Sequence, residues 1–165
     1  MEWRHNSAIM RLLERARMRF MFVTMTLLGL SALGTVGVRR VTAAETRSQW
    51  DGAYSLEQAK RGEPLYSAQC AACHGSDLTG GEMTPPLIGF EFNANWDGLT
   101  LGDIFERIRV SMPQNDPSAL TRAQKIDVLG FILYKGGYPA GETELPSQTE
   151  VLKTISFLAT KPESK

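Results

Sequence analysis

The sequence predicts an all-α chain. Two stretches place apolar residues at helical spacing behind a capping pattern: Leu101, Ile104, Phe105 and Ile108 after Thr100 to Asp103, and Ile126, Leu129 and Leu133 after Thr121 with Gln124 three residues on. The third observation is negative: no convincing alternation of apolar and polar residues marks a strand, and no internal repeat is visible.

The chain opens on a leader. Arg4, Arg11, Arg15, Arg17 and Arg19 precede an uncharged apolar run from Phe20 to Val38, and the small residues Val41-Thr42-Ala43-Ala44 follow, the kind of site a signal peptidase accepts. Residues 1–44 therefore read as an export signal. The run is long for a signal's apolar core, and Arg39 and Arg40 separate it from the candidate site. The alternative is an uncleaved membrane anchor through residues 20–38 with its basic end inside. On either reading the rest of the chain, from Glu45, is expected in the periplasm, free or tethered to the outer face of the inner membrane.

Residues 45–54 look like a linker. Ser55 is the expected N-cap of a first helix running through Leu56, Ala59, Leu65 and Tyr66 toward Cys70, with Pro64 expected to kink, shorten or restart it because proline lacks the backbone donor. From Gly75 to Asn95 the chain is dense in Gly, Pro, Thr and Asn and reads as loop. The helix after Thr100 should stop before Pro113, since the residue before a proline is pushed away from helical geometry. The helix after Thr121 gains Val128 and Ile132 beside its main stripe and should end at Gly136-Gly137. Residues 55–146 then form one domain, and residues 147–165 a C-terminal extension. Residues 138–165 are loop-like, the candidate elements there being a short helix at Thr149 to Ile155 and an extended piece near Phe157.

Formal charge is balanced over the whole chain but not along it. Seven of the 18 basic and two of the 18 acidic residues precede Glu45, which leaves 11 basic and 16 acidic residues and a net charge of −5 on the remainder. An acidic domain is a poor nucleic-acid binder, because phosphate contact needs basic surface, but it can steer toward a partner with a basic patch.

Both cysteines of the chain lie in one short motif, Cys70-Ala71-Ala72-Cys73-His74. A C-x-x-C-H run reads as a c-type haem attachment site. Two thiols three positions apart near a helix end can reach the two vinyl groups on one porphyrin edge, and the next residue can bring its imidazole under the iron. A neutral imidazole ligates through one nitrogen and keeps the other for a hydrogen bond. Three readings compete. A thioredoxin-like dithiol wants a βαβ context, which is missing here. Zinc needs more ligands than these three residues, because His74 is the sole histidine after residue 44. A plain disulfide has no use for His74.

That lone histidine also rules out a bis-histidine haem within one chain. Methionine is the common partner in electron-transfer haems, and Met83 and Met112 are the two that follow the leader. Met83 is close behind His74, in a loop that would cover the histidine side of the ring. Met112 follows a helix, and Pro113 keeps it extended and stiff, which suits a ligand that must not swing away. Met112 is therefore the expected sixth ligand, and Met83 a space-filler. In Thr84-Pro85-Pro86-Leu87-Ile88-Gly89 a proline carbonyl can accept the free N–H of His74, and Leu87 can pack on the ring. Trp96 reads equally well as an apolar lid or as a donor to a haem propionate. Arg107 and Arg109 can pair with propionates, though two arginines on a helix are more often its solvated face.

With the haem motif, the Pro-Pro-Leu-x-Gly loop and Met112-Pro113 in that order, the chain resembles class I cytochromes c. From Gln58 to Pro146 it is similar, more specifically, to the small cytochromes associated with quinoprotein (PQQ) alcohol dehydrogenases. That likeness rests on Arg61-Gly62, Tyr66, Asn95-Trp96, Leu101-Gly102-Asp103-Ile104-Phe105, Ile108-Arg109, Ser111-Met112-Pro113-Gln114 and Gly137-Tyr138-Pro139-Ala140-Gly141-Glu142. The resemblance implies a compact all-α fold around one covalent haem c, with the first and last core helices crossing near Gly62 and Gly130. It carries over Cys70 and Cys73 as thioether sites and His74 and Met112 as axial ligands, and it selects Pro85 as acceptor for His74. It implies an electron carrier, not an enzyme, taking electrons from a quinoprotein dehydrogenase and passing them to an oxidase or another cytochrome. The alternatives are a haem subunit fixed in a membrane complex and an open-site haem enzyme or gas sensor, which would require Met112 to be unbound.

Overall fold

The computed structural model describes residues 47–163. The leader, residues 1–44, lies outside them, as does the candidate span 20–38. Six α-helices make up the described part: α1 (Leu56–Gln69), α2 (Ala71–His74), α3 (Gly89–Trp96), α4 (Leu101–Ser111), α5 (Arg122–Lys135) and α6 (Thr149–Leu152). No strand forms among the described residues, where extended pairing is limited to isolated bridges such as Thr100 with Ser156. Among the described residues the fold is all-α, as expected.

Helix starts follow the local chemistry. Ser55 accepts from the Gln58 amide at 3.1 Å and opens α1. Thr100 and Asp103 close a reciprocal capping box on α4, and Thr121 and Gln124 do the same on α5. In each case a side-chain oxygen satisfies a backbone donor that the first helical turn would otherwise orphan. Helix α4 ends at Ser111, and Met112 is already extended.

Helices α1 and α5 cross at backbone contact. A Cβ on Gly62 would stand 2.0 Å from the Asp127 carbonyl oxygen, and one on Gly130 would stand 3.3 Å from Cγ of Gln58. The ring of Tyr66 meets that of Phe131 at 5.4 Å along the same seam. Pro64 neither ends nor restarts α1, which is assigned without a break from Leu56 to Gln69 across it. The proline lies on the exposed face, where the Lys60 carbonyl it cannot bond is left to water, while Ala59, Gly62 and Tyr66 hold the opposite face in the core.

Two segments fold more than their composition suggests. Residues 47–54, read as a linker, contain a 3-10 turn at Gln49–Asp51 and bury Ser48, Gln49, Ala53 and Tyr54. The Gln49 side chain donates to the Leu158 carbonyl at 2.5 Å and accepts from the Leu158 amide at 3.0 Å, standing in for a strand neighbour. Gln58 does the same with Leu145, at 3.1 and 2.8 Å. The residues beyond 146 belong to the core: Leu152, Ile155 and Phe157 are buried, and Phe157 stacks edge-on with Phe92 and Tyr138. The short helix near Thr149 is present, and residues 155–157 run extended beside Leu99 to Leu101. Within the stretch 75–95, read as loop, α3 forms because Ile88, Phe92 and Trp96 recur every four residues and turn one face inward.

Candidate functional site

The motif sits at the α1–α2 junction. Cys70 closes α1, its amide donating to the Tyr66 carbonyl at 2.8 Å, and the next turn carries Cys73 and His74, whose amides both donate to the Cys70 carbonyl. Both thiols are free: Cys70 is half-buried against the core and Cys73 is exposed. Burial, with Cys73 alongside, pushes the Cys70 thiol up to about 11. No strand forms among the described residues, so the βαβ context of a thioredoxin-like dithiol is missing there. Among the described residues no group of three His, Cys, Asp or Glu side chains converges to hold a metal ion.

His74 is only 8% exposed. Its Nδ1 lies 3.0 Å from the Pro85 carbonyl oxygen. A carbonyl only accepts, so Nδ1 carries a proton and Nε2 is the ring nitrogen left to act as a ligand. The loop after the motif is shaped to make that bond. Gly75 and Gly80 take positive φ, and a Cβ on Gly80 would stand 2.4 Å from the Thr84 carbonyl oxygen and 2.8 Å from the Pro85 carbonyl carbon. Glycine there lets the Pro85-Pro86 segment pass close beneath the motif. Leu78 also takes a positive φ of 64°, a strain of about 1–2 kcal/mol offset by full burial of its side chain.

Met112 follows α4 with its amide on the Ile108 carbonyl at 3.1 Å and its side chain half-buried, and Pro113 behind it is buried. Met83 is 94% exposed, at a turn closed between Gly81 and Thr84. Leu87 and Trp96 are half-buried against the core, and Trp96 lies 6.2 Å from the Phe92 ring. Among the described residues no buried side-chain nitrogen or oxygen lacks a hydrogen-bond partner. Arg109 is engaged on its own helix by Glu106 at 2.7 Å, and Arg107 is exposed. Arg109 and then Thr149 hold the Glu106 carboxyl down at about 2.

Lys125 was not singled out by the motifs. It is 2% exposed, and its ammonium donates to the carbonyls of Ile108 at 3.3 Å, Arg109 at 2.8 Å and Pro117 at 2.7 Å. Desolvation lowers its pKa, and Arg109 lowers it further. Its register was a signal, since residue 125 falls on the same apolar face as Val128, Leu129 and Ile132.

Two thiols one turn apart, an imidazole with a free Nε2, a thioether on stiff backbone and a half-buried apolar margin of Leu65, Ala71, Leu87, Ile88, Trp96 and Ile108 fit a covalent porphyrin. The domain is a class I c-type cytochrome, and such a domain implies covalent haem c, electron transfer and redox partners. Residues 57–132 match the family described as cytochrome C oxidase, cbb3-type, subunit III. That span runs from the first turn of α1 into α5 and contains every residue discussed as a haem contact. Among solved structures, a chain of the sulfane dehydrogenase SoxCD from Paracoccus pantotrophus is similar, at 21% identity and a TM-score of 0.45, over 76% of this chain and 68% of that one. No curated protein matches the sequence.

Proposed function

We propose that the chain is a monohaem electron carrier of the periplasm, with Cys70 and Cys73 as its thioether sites and His74 Nε2 and Met112 Sδ as its axial ligands. The observation that carries this is the hydrogen bond from His74 Nδ1 to the Pro85 carbonyl, which fixes the ring and points chemistry at the other nitrogen. The haem, when bound, supplies one-electron iron chemistry.

The chain's own residues do the rest. The α1–α5 crossing holds the motif turn rigid, the Pro85 carbonyl raises the basicity of His74, and Pro113 keeps Met112 in place. Leu87 and Trp96 keep water from the apolar margin, with the Trp96 N–H free to meet a propionate. No acid, base or substrate pocket is needed for this task, so the role is that of a carrier and not an enzyme. The donor is a quinoprotein dehydrogenase and the acceptor an oxidase or another cytochrome. The acidic balance of the chain beyond residue 44 favours basic docking patches on both.

The test is purification from a host with haem-ligation machinery followed by acidified acetone. Colour that stays with the protein, one haem per chain and a methionine-to-iron charge-transfer band lost in Met112→Leu are the expected results. Extraction of the colour overturns the reading. A second reading, a subunit tethered in a membrane complex, draws on the apolar run Phe20 to Val38. N-terminal sequencing of the mature protein decides: a start near Glu45 excludes the tether.

A further inference from the structure

We propose that Lys125 is a positioning residue for the axial methionine, tying down the backbone on both sides of Met112. The inference rests on Met112 being that ligand. Residue 109 precedes Met112 in the last turn of α4, and residue 117 follows it in the loop that leads to α5. Lys125 Nζ holds the carbonyls of both, at 2.8 and 2.7 Å, and takes a third bond to the Ile108 carbonyl at 3.3 Å. Those three acceptors use all three ammonium protons.

The placement has a mechanical consequence. Lys125 lies in the first turns of α5, the helix locked against α1 at Gly62 and Gly130. The same α1 ends in the motif turn. The two sides of the candidate haem site are thus joined through one rigid helix pair, with Lys125 as the link to the methionine side. Of the two α4 carbonyls it meets, Ile108 also takes the Met112 amide, while Arg109 has Pro113 four residues on and so no helical donor. The partial negative charge at this helix end compensates a buried cation. Pro113 and Leu120 are buried at the two ends of the loop that follows. Among the described residues the loop's other hydrogen bonds are short-range, from the Asp116 amide to the Pro113 carbonyl, the Ala119 amide to the Asp116 carbonyl and Ser118 to the Asp116 carboxylate. Removing the ammonium frees both flanks together, so the methionine leaves the iron more often.

An added ligand such as imidazole binds only the opened form, so its apparent affinity reports the opened fraction. The experiment compares holoprotein of the wild type, Lys125→Met, Met112→Leu and Arg61→Gln, in the ferric state and well below the melting temperature. Lys125→Met keeps an unbranched stem one atom shorter and deletes the donors. Arg61→Gln breaks exposed ion pairs to Asp127 and Glu144 at the helix crossing and controls for general loss of stability. Imidazole should bind Lys125→Met roughly 10- to 100-fold more tightly than wild type, with a weakened methionine-to-iron band, while Arg61→Gln matches wild type.

If Lys125→Met binds imidazole no more tightly than Arg61→Gln while wild type shows the band, the positioning role falls and the axial assignment stands. If wild type lacks the band and binds imidazole as tightly as Met112→Leu, both fall. Should Lys125→Met fail to yield holoprotein, Lys125→Gln, which keeps a shorter donor group, is read against the same controls. It must shift in the same direction, or the role is refuted.

Discussion

Gly62→Ala tests whether the α1–α5 crossing is the keystone of the fold. The added methyl would sit 2.0 Å from the Asp127 carbonyl oxygen, 2.6 Å from its carbon and 2.9 Å from Cβ of Phe131, where real contacts stop near 3.0 Å. Two of those three atoms are α5 backbone, so relief requires the whole helix to retreat by about 1 Å. That movement loosens the Tyr66–Phe131 stack and the seat of Gln58 against Gly130. Overpacking against an obstacle that cannot rotate away falls at the upper end of its usual range, about 3 kcal/mol. Alanine returns about 1 kcal/mol of helix propensity, so the net expected loss is about 2 kcal/mol. At Gly130 the nearest atom is a side-chain carbon at 3.3 Å, and Gly130→Ala should stay within about 1 kcal/mol of wild type. Urea midpoints of the holoproteins, followed by far-UV circular dichroism at fixed haem oxidation state, give both values. A Gly62→Ala protein as stable as wild type, or less affected than Gly130→Ala, would refute the crossing as described.

Gly80→Ala forces a positive φ of 76° on alanine and drives its methyl into the Thr84 carbonyl; we expect a loss of about 2–4 kcal/mol and, as Pro85 is pushed off His74, a less basic ligand and a higher potential by voltammetry. Phe157→Ala removes a fully buried ring that packs on Phe92 and Tyr138, so chemical denaturation should show a loss of about 3–5 kcal/mol, and ending the chain at Pro146 should abolish cooperative unfolding. Glu106 has its carboxyl held at about 2 against an ordinary 4.5 by Arg109 and then Thr149. The folded form binds the proton less readily, so this contribution is full above 4.5 and disappears as pH falls through about 2. Glu106→Gln should cost under about 1 kcal/mol at neutral pH because the pair is solvated, with the gap to wild type closing in acid.

What could be read in advance was local. Thr100 with Asp103 and Thr121 with Gln124 mark helix starts through side chains that bond within one turn, and that geometry depends on little else. The apolar stripes of α4 and α5, and the pairing of His74 with a proline carbonyl, follow from spacing and from acceptor chemistry that sequence displays. Pro64 was misleading because propensity counts the lost hydrogen bond but not the packing of the opposite helix face. Helix α3 was hidden by Gly89, Asn93 and Asn95, although Ile88, Phe92 and Trp96 carried its period. Lys125 and the tail around Phe157 were obscure for a different reason. A lysine on an apolar face signals only a misfit until the carbonyls that receive it are in view, and the tail is held by partners more than a hundred positions away in sequence.

The glutamine clamp between Gln49 and Leu158 spans 109 positions. A nascent polypeptide presents Gln49 well before Leu158, so this clamp forms only once both have emerged. Such distant pairings form slowly. Until the clamp forms, buried Gln49 lacks the backbone partner that satisfies both ends of its amide. The first and last described segments are thus fastened to each other, and one amide side chain does the work of a missing strand.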